Sequence, residues 1–307
     1  MTIDDRVDVQ SGTLSPGHGD PASTLVRRAA GAGSSAGPRR VRSSAQRGAD
    51  AVASAGPGEV VVGITGSQYD VVTVVWALQD AARRRVCIRL VHSLAGCAPR
   101  YDPQRFYRAL RGPVRGSGLV PLLRQTNDPL QAALLKASAD ALLVVVGQPS
   151  RPETRPPGAD FLPSHLAARS GCPVVVVPGA PAAAAGGIGK VVAGITAGTS
   201  PPRHLAFAFG EAHSSGTGLT VVHAGEDASG APALARALAG WRAAYPDVPI
   251  TARVVRGDAE VVLRAAVSPG DLLVLGTRRD GRVPASLGGR VTSGLLRTPP
   301  CAVAVVG

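Results

Sequence analysis

From Glu59 onward, short apolar runs alternate with amphipathic stretches. Val60-Val-Val-Gly-Ile64 lacks any polar position, the pattern of a strand covered on both faces. Asp70–Arg84 spaces Val71, Val74, Val75, Leu78 and Ala82 as one face of a helix. Val86–Val91 predicts a second strand, and Pro129–Ala139 a helix. Ala141–Val146 and Pro173–Val177 predict two further strands. Strands alternating with helices predict βαβ units and a parallel sheet.

The pattern then repeats. Val191-Val-Ala-Gly-Ile-Thr196 matches Val60-Val-Val-Gly-Ile-Thr65 at an offset of 131. At that offset Phe207–Ala212 lies under Trp76–Ala81, and Val222-His223 lies under Val91-His92. Cys301–Val306 repeats Cys172–Val177 at an offset of 129. Matches in this order imply tandem duplication of one α/β domain. The expected organisation is a disordered tail over residues 1–57, a first domain over 58–179, a linker over 180–189 and a second domain over 190–307. The tail is rich in Ser, Gly, Ala, Pro and Arg, lacks aromatics, and shows no sustained period. The linker is mostly Ala, Gly and Pro.

Composition narrows the function. The longest apolar runs fall far short of the ~18 residues of a membrane span. The first ten residues, MTIDDRVDVQ, lack a signal-peptide core, so a cytoplasmic location and no membrane partner are expected. The four cysteines, at 87, 97, 172 and 301, have no metal-ligand spacing and read as buried thiols in a reducing compartment. The net charge of +12 divides into +2, +6 and +4 over residues 1–58, 59–187 and 188–307. No G-K-[ST], H-E-x-x-H or G-x-S-x-G motif is present, and no catalytic residue or metal ligand is assigned.

The duplicated strands, the Val-His strand ends, and Arg256-Gly-Asp-Ala-Glu-Val-Val-Leu263 before a late strand resemble the universal stress protein family in its tandem two-domain form. The resemblance spans about residues 59–307. It implies an α/β fold of two tandem Rossmann-like domains, each a five-stranded parallel sheet with helices on both faces. Nucleotide-binding members carry an Asp at the end of strand one. After strand four they carry G-x-x-G, nine residues, then G followed by Ser or Thr. Glycines let the backbone approach phosphate, and a helix N-terminus offers free N–H groups. Carried over to the second domain, the pattern gives Gly276 as the first glycine, Arg279 at the second, Gly289 at the third and Arg290 at the hydroxyl position. Val291 and Thr292 follow as in the family, and Thr196 stands in place of the Asp. In the first domain Gly147 leads into a Pro-rich run, Pro163-Ser-His-Leu166 occupies the G-S/T step, and Thr65 replaces the Asp. The nucleotide loop is thus degenerate in the second domain and lost in the first. No cofactor is expected, with ATP in the second domain as the exception to test.

Two other features stand out. Residues 83–124 hold ten Arg and one acid, Asp102, with Tyr101, Phe106 and Tyr107 among them. Phe106 and Leu110 share one helical face, so the segment reads as a basic solvent face on an amphipathic helix rather than a nucleic-acid site. His92 and His223 read as satisfied, partly buried residues without a neighbouring carboxylate. The expected function is a regulatory or interaction protein of the stress response, not an enzyme, with weak or no nucleotide binding and an unidentified protein partner. The alternatives are an ATP-binding sensor that uses the second domain alone, and a basic nucleic-acid-associated protein. The edge strands Pro173–Val177 and Ala302–Val306 are expected to pair within one chain, giving a monomer.

Overall fold

The computed structural model describes residues 58–67, 69–95, 102–148, 161–195, 203–225, 231–276 and 285–307. The expected tail, Cys97 and Tyr101 lie outside them. The first half runs β1 (Val60–Ile64), α1 (Asp70–Arg84), β2 (Ile88–Ser93), α2 (Pro103–Ser117), β3 (Leu122–Thr126), α3 (Leu130–Ala137), β4 (Leu143–Gln148), α4 (Phe161–Arg169) and β5 (Val174–Pro178). The second runs β6 (Val191–Ile195), α5 (Arg203–Ser215), β7 (Leu219–Gly225), α6 (Ala231–Ala244), β8 (Ile250–Arg256), α7 (Ala259–Ala265), β9 (Leu272–Gly276), α8 (Ala285–Arg297) and β10 (Ala302–Val306).

All ten strands form one sheet in the order β3-β2-β1-β4-β5-β10-β9-β6-β7-β8. Within each half every pairing is parallel. The halves join where β5 meets β10 antiparallel, with Val174, Val175 and Val176 opposite Val305, Ala304 and Val303. The expected pairing of the two closing strands is therefore made. Each strand would otherwise be an open β-branched edge, and pairing satisfies its N–H and C=O groups.

Strand side chains alternate between two cores. Val60, Val62 and Ile64 enter the core beneath α1, α2, α5 and α6. Val61, Val144 and Val146 enter the core beneath α3, α4, α7 and α8. The β-branched runs thus read as continuous because helices cover both faces.

At the seam α1 meets α5. Asp80 and Glu211, equivalent at the 131-residue offset, have side chains only 1% and 2% exposed. Arg83 bridges both, at 2.5 Å from Asp80 and 3.2 Å from Glu211, and Arg84 also pairs with both. The equivalent positions in α5 are Ser214 and Ser215, so the first half supplies all the positive charge.

Within the segment read as a linker, Pro181–Ala184 forms a 3-10 turn with Ala183 and Ala184 buried, and Gln79 Nε2 donates to the Ala184 carbonyl at 2.9 Å. The expectation of buried cysteines needs correction. Cys87 is exposed rather than buried, because it lies in the turn before β2. Only Cys301 is fully buried among the described cysteines, and burial pushes its thiol up to about 12.

Candidate functional site

In each half the strand order reverses direction next to the first strand, between β1 and β4 and between β6 and β9. Open parallel sheets present a ligand crevice at such a point, beyond the carboxyl ends of the strands. The two crevices can therefore be compared directly.

In the first half, β1 leads through Thr65, Gly66 and Ser67 to Asp70, the first residue of α1. Gly66 has φ of 78°, a conformation open to glycine, and turns its N–H toward the helix start. Asp70 is fully buried. Its Oδ2 accepts from the backbone N–H groups of Gly66 at 2.8 Å and Ser67 at 3.0 Å. Its Oδ1 accepts from the hydroxyls of Thr65 at 2.8 Å and Ser67 at 3.0 Å. The chain's own carboxylate thus occupies the donors that could hold an external anion. Burial raises the Asp70 pKa above the usual carboxylate range, against the opposing pull of the hydrogen bonds from Thr65, Ser67 and Gly66.

His92, at the end of β2, is also buried. Desolvation lowers its pKa, and the charge of Asp70 pulls the other way. This corrects the expectation that His92 has no neighbouring carboxylate. His223, its counterpart on β7, places Nδ1 3.2 Å from the Ile195 carbonyl oxygen.

In the second half the crevice is filled differently. His204, in the first turn of α5, is 8% exposed. Its ring rests on Gly276: a Cβ added there would lie 2.3 Å from Nδ1. A hydrogen bond ties His204 to the backbone of Gly194, and among the described residues its buried Nε2 has no hydrogen-bond partner. Burial pushes the imidazole down to about 4, so the ring is neutral at pH 7. The equivalent residue in the first half is Thr73, whose Oγ1 would lie 2.3 Å from a Cβ on Gly147. Both copies therefore press the first helix onto the glycine that ends the fourth strand. One uses a small hydroxyl, the other a ring.

The sequence-predicted site residues are only partly brought together. Gly276 ends β9 beneath His204, at the crevice. Thr196 and Arg279 lie outside the described residues. Gly289, Arg290, Val291 and Thr292 lie in α8, with Arg290 exposed and Val291 and Thr292 half-buried. One expectation is corrected: Arg290 does not stand at the helix start. α8 begins at Ala285, so the Gly289 and Arg290 amides fall inside the helix's own i to i−4 ladder rather than among its free N–H groups. Asp70 and His204 were not singled out from sequence as site residues. The repeat offset, which aligns His204 with Thr73, is the signal that could have found the second. Among the described residues no His, Cys, Asp and Glu cluster could hold a metal, and no helix is long and apolar enough to cross a membrane.

Two parallel α/β units fused through their closing strands define a duplicated Rossmann-like architecture. The sequence model of the universal stress protein family matches residues 226–307. A universal stress protein of Mycobacterium tuberculosis is 26% identical, over 77% of this chain and 92% of its own. A second from that organism is 29% identical, over 70% of this chain and 87% of its own. The crystal structure of a universal stress protein from Archaeoglobus fulgidus covers 82% of this chain and 98% of its own, with a TM-score of 0.63 at 13% identity. Residues 226–307 thus match the universal stress protein model, and the chain is similar to universal stress proteins over most of its length.

Proposed function

We propose that this protein is a regulatory or interaction protein of the stress response, acting in the cytoplasm by binding rather than by turnover. In this reading neither half depends on tight nucleotide binding. The observation that carries it is the self-filling of both crevices. Asp70 takes up the donors at the start of α1, and His204 lies against Gly276. An incoming triphosphate would meet a carboxylate in the first half and a neutral ring in the second. Proline after Gly147 offers no N–H to an anion, and Arg279 stands where the family pattern has glycine.

A second reading keeps ATP in the second half alone. The exposed Arg290 favours it, since a guanidinium fork suits phosphate oxygens. Native mass spectrometry of the purified full chain separates the two. The first reading expects the mass of the bare polypeptide. A stoichiometric adduct with the mass of an adenine nucleotide would replace it with the sensor reading.

A further inference from the structure

α2 carries a face that neither crevice uses. Phe106 and Leu110 are buried in the core and define the inner side of the helix. Arg105, Arg108, Arg111 and Arg115 are all exposed. At 3.6 residues per turn they fall within an arc of about 120° on the outer side, over about 15 Å of helix. Arg124 is exposed on β3, the edge strand at this end of the sheet. None of these five arginines forms an ion pair among the described residues. The nearest acid in sequence, Asp102, is engaged at the helix start, where its carboxylate accepts from Gln104 N and Arg105 N.

Successive arginines three or four apart on one helix repel each other, and each such pair is mildly destabilising. The usual remedy, an interleaved acid, is absent from α2. Tyr107 flanks the row, 37% exposed and edge-on to Phe106 at 5.3 Å between ring centroids. Among the described residues the second half has no counterpart. There α6 and β8 line an apolar cavity of about 190 Å³, bordered by Ala231, Ala235 and Ala239 with Arg242 the one cation.

We propose that the α2 face binds single-stranded nucleic acid without sequence preference, its arginine row tracking successive phosphates while Tyr107 stacks on a base. Guanidinium forks match phosphate oxygens, and every base offers a π-face to an exposed ring. An acidic protein segment would satisfy the charge but would leave Tyr107 without a role.

The test is fluorescence anisotropy of the full chain with a labelled mixed-sequence single strand of about 20 nucleotides, long enough to span several phosphate contacts. Four phosphate contacts on a single strand predict an affinity loss of about 50-fold between 50 and 200 mM salt. Arg108→Glu with Arg111→Glu should weaken binding by tenfold or more and flatten the salt dependence. Tyr107→Ala should weaken it roughly five-fold or more and leave the salt slope unchanged. Reversing Arg39, Arg40 and Arg42 to Glu in the N-terminal segment should leave most of the affinity. Circular dichroism and melting of each variant should match the wild type, since every altered α2 side chain is exposed. The proposal is overturned if the wild type shows no saturable binding or if the α2 reversal has no effect. It is overturned equally if the N-terminal reversal alone abolishes binding, if duplex binds as tightly as single strand, or if polyglutamate competes as well as unlabelled oligonucleotide.

Discussion

The two halves share strand order, pairing and helix placement, yet they fill equivalent positions with different chemistry. Against the glycine that ends the fourth strand, the first half sets the Thr73 hydroxyl and the second the neutral His204 ring, and only the first half adds a buried carboxylate, Asp70, in a ring of donors. At the seam, the first half supplies Arg83 and Arg84 where the second has Ser214 and Ser215. At the outer edge, one half presents an arginine row and the other an apolar cavity. Backbone architecture is set by the apolar runs that both copies keep. The positions that face the crevice, the seam and the edge differ between the copies because strand pairing does not depend on their identity.

The seam gives the largest expected effect. Replacing Arg83 and Arg84 together by Ala leaves Asp80 and Glu211 buried, near one another and without a cation. Removing one side of a buried ion pair costs about 3–5 kcal/mol, and this double change should fall at the upper end. Urea unfolding should show it. Ser214→Ala with Ser215→Ala, at the equivalent positions, should cost far less, because both hydroxyls donate only to carbonyls of their own helix or meet Thr217. Equal costs on the two sides would break the asymmetry.

Acid should act on the halves in opposite directions. Native His204 titrates near 4 instead of 6.5, so the unfolded chain takes up that proton first as pH falls. Stability should therefore drop between pH 6.5 and 4, by about 3 kcal/mol at most from this group. Asp70 is shifted upward, so the native chain binds its proton first and gains relative stability as pH falls through its native pKa toward 3.8. His204→Thr, which installs the first half's residue, should flatten the loss above pH 4. Asp70→Asn should steepen the net acid loss. A pH profile of urea unfolding that ignores His204→Thr would contradict the buried, neutral ring.

A smaller effect comes from the two close-approach glycines. Gly276→Ala should cost about 2–3 kcal/mol, because overpacking forces a buried ring to move. Gly147→Ala should cost about 1 kcal/mol, at the low end of that range, since the Thr73 hydroxyl can rotate away. His204→Ala should recover most of the first loss in a double-mutant cycle. Smaller still, deletion of residues 1–57 should leave the melting temperature within about a few degrees, on the scale of ~1 kcal/mol. Sedimentation should show a monomer at low micromolar concentration, because β5 and β10 already cover each other.

Much of this fold was legible in the apolar pattern. Val60–Ile64 and Asp70–Arg84 form with the expected bounds, and the repeat offset gave the duplication. Where bounds shifted, local chemistry explains it. β2 begins at Ile88 rather than Val86 because Arg85 takes a left-handed φ of 57° and the Val86 N–H bonds back to the Ala81 carbonyl. β3 carried no clear signal, since an edge strand is half-exposed and Leu122 itself points to solvent. The fillers of the crevices were hidden for a different reason. Asp70 reads as an ordinary helix-start acid and His204 as one histidine on a helix. Asp70's role comes from the local turn at Gly66, and His204's from Gly194 and Gly276, which folding brings beside it.

The proposal that His204 fills the second crevice, with the glycine pattern of the nucleotide loop degraded in sequence, is tested by calorimetric titration with ATP. The wild type should show no saturable binding below roughly millimolar, the scale of a ~4 kcal/mol interaction. Thr196→Asp, Arg279→Gly and Arg290→Ser combined with His204→Ala should bring binding into the micromolar range, since recovered hydrogen bonds contribute about 1 kcal/mol each and charge-assisted ones more. Micromolar binding by the wild type, abolished by Arg290→Ala, would contradict the account and establish the second half as an ATP sensor.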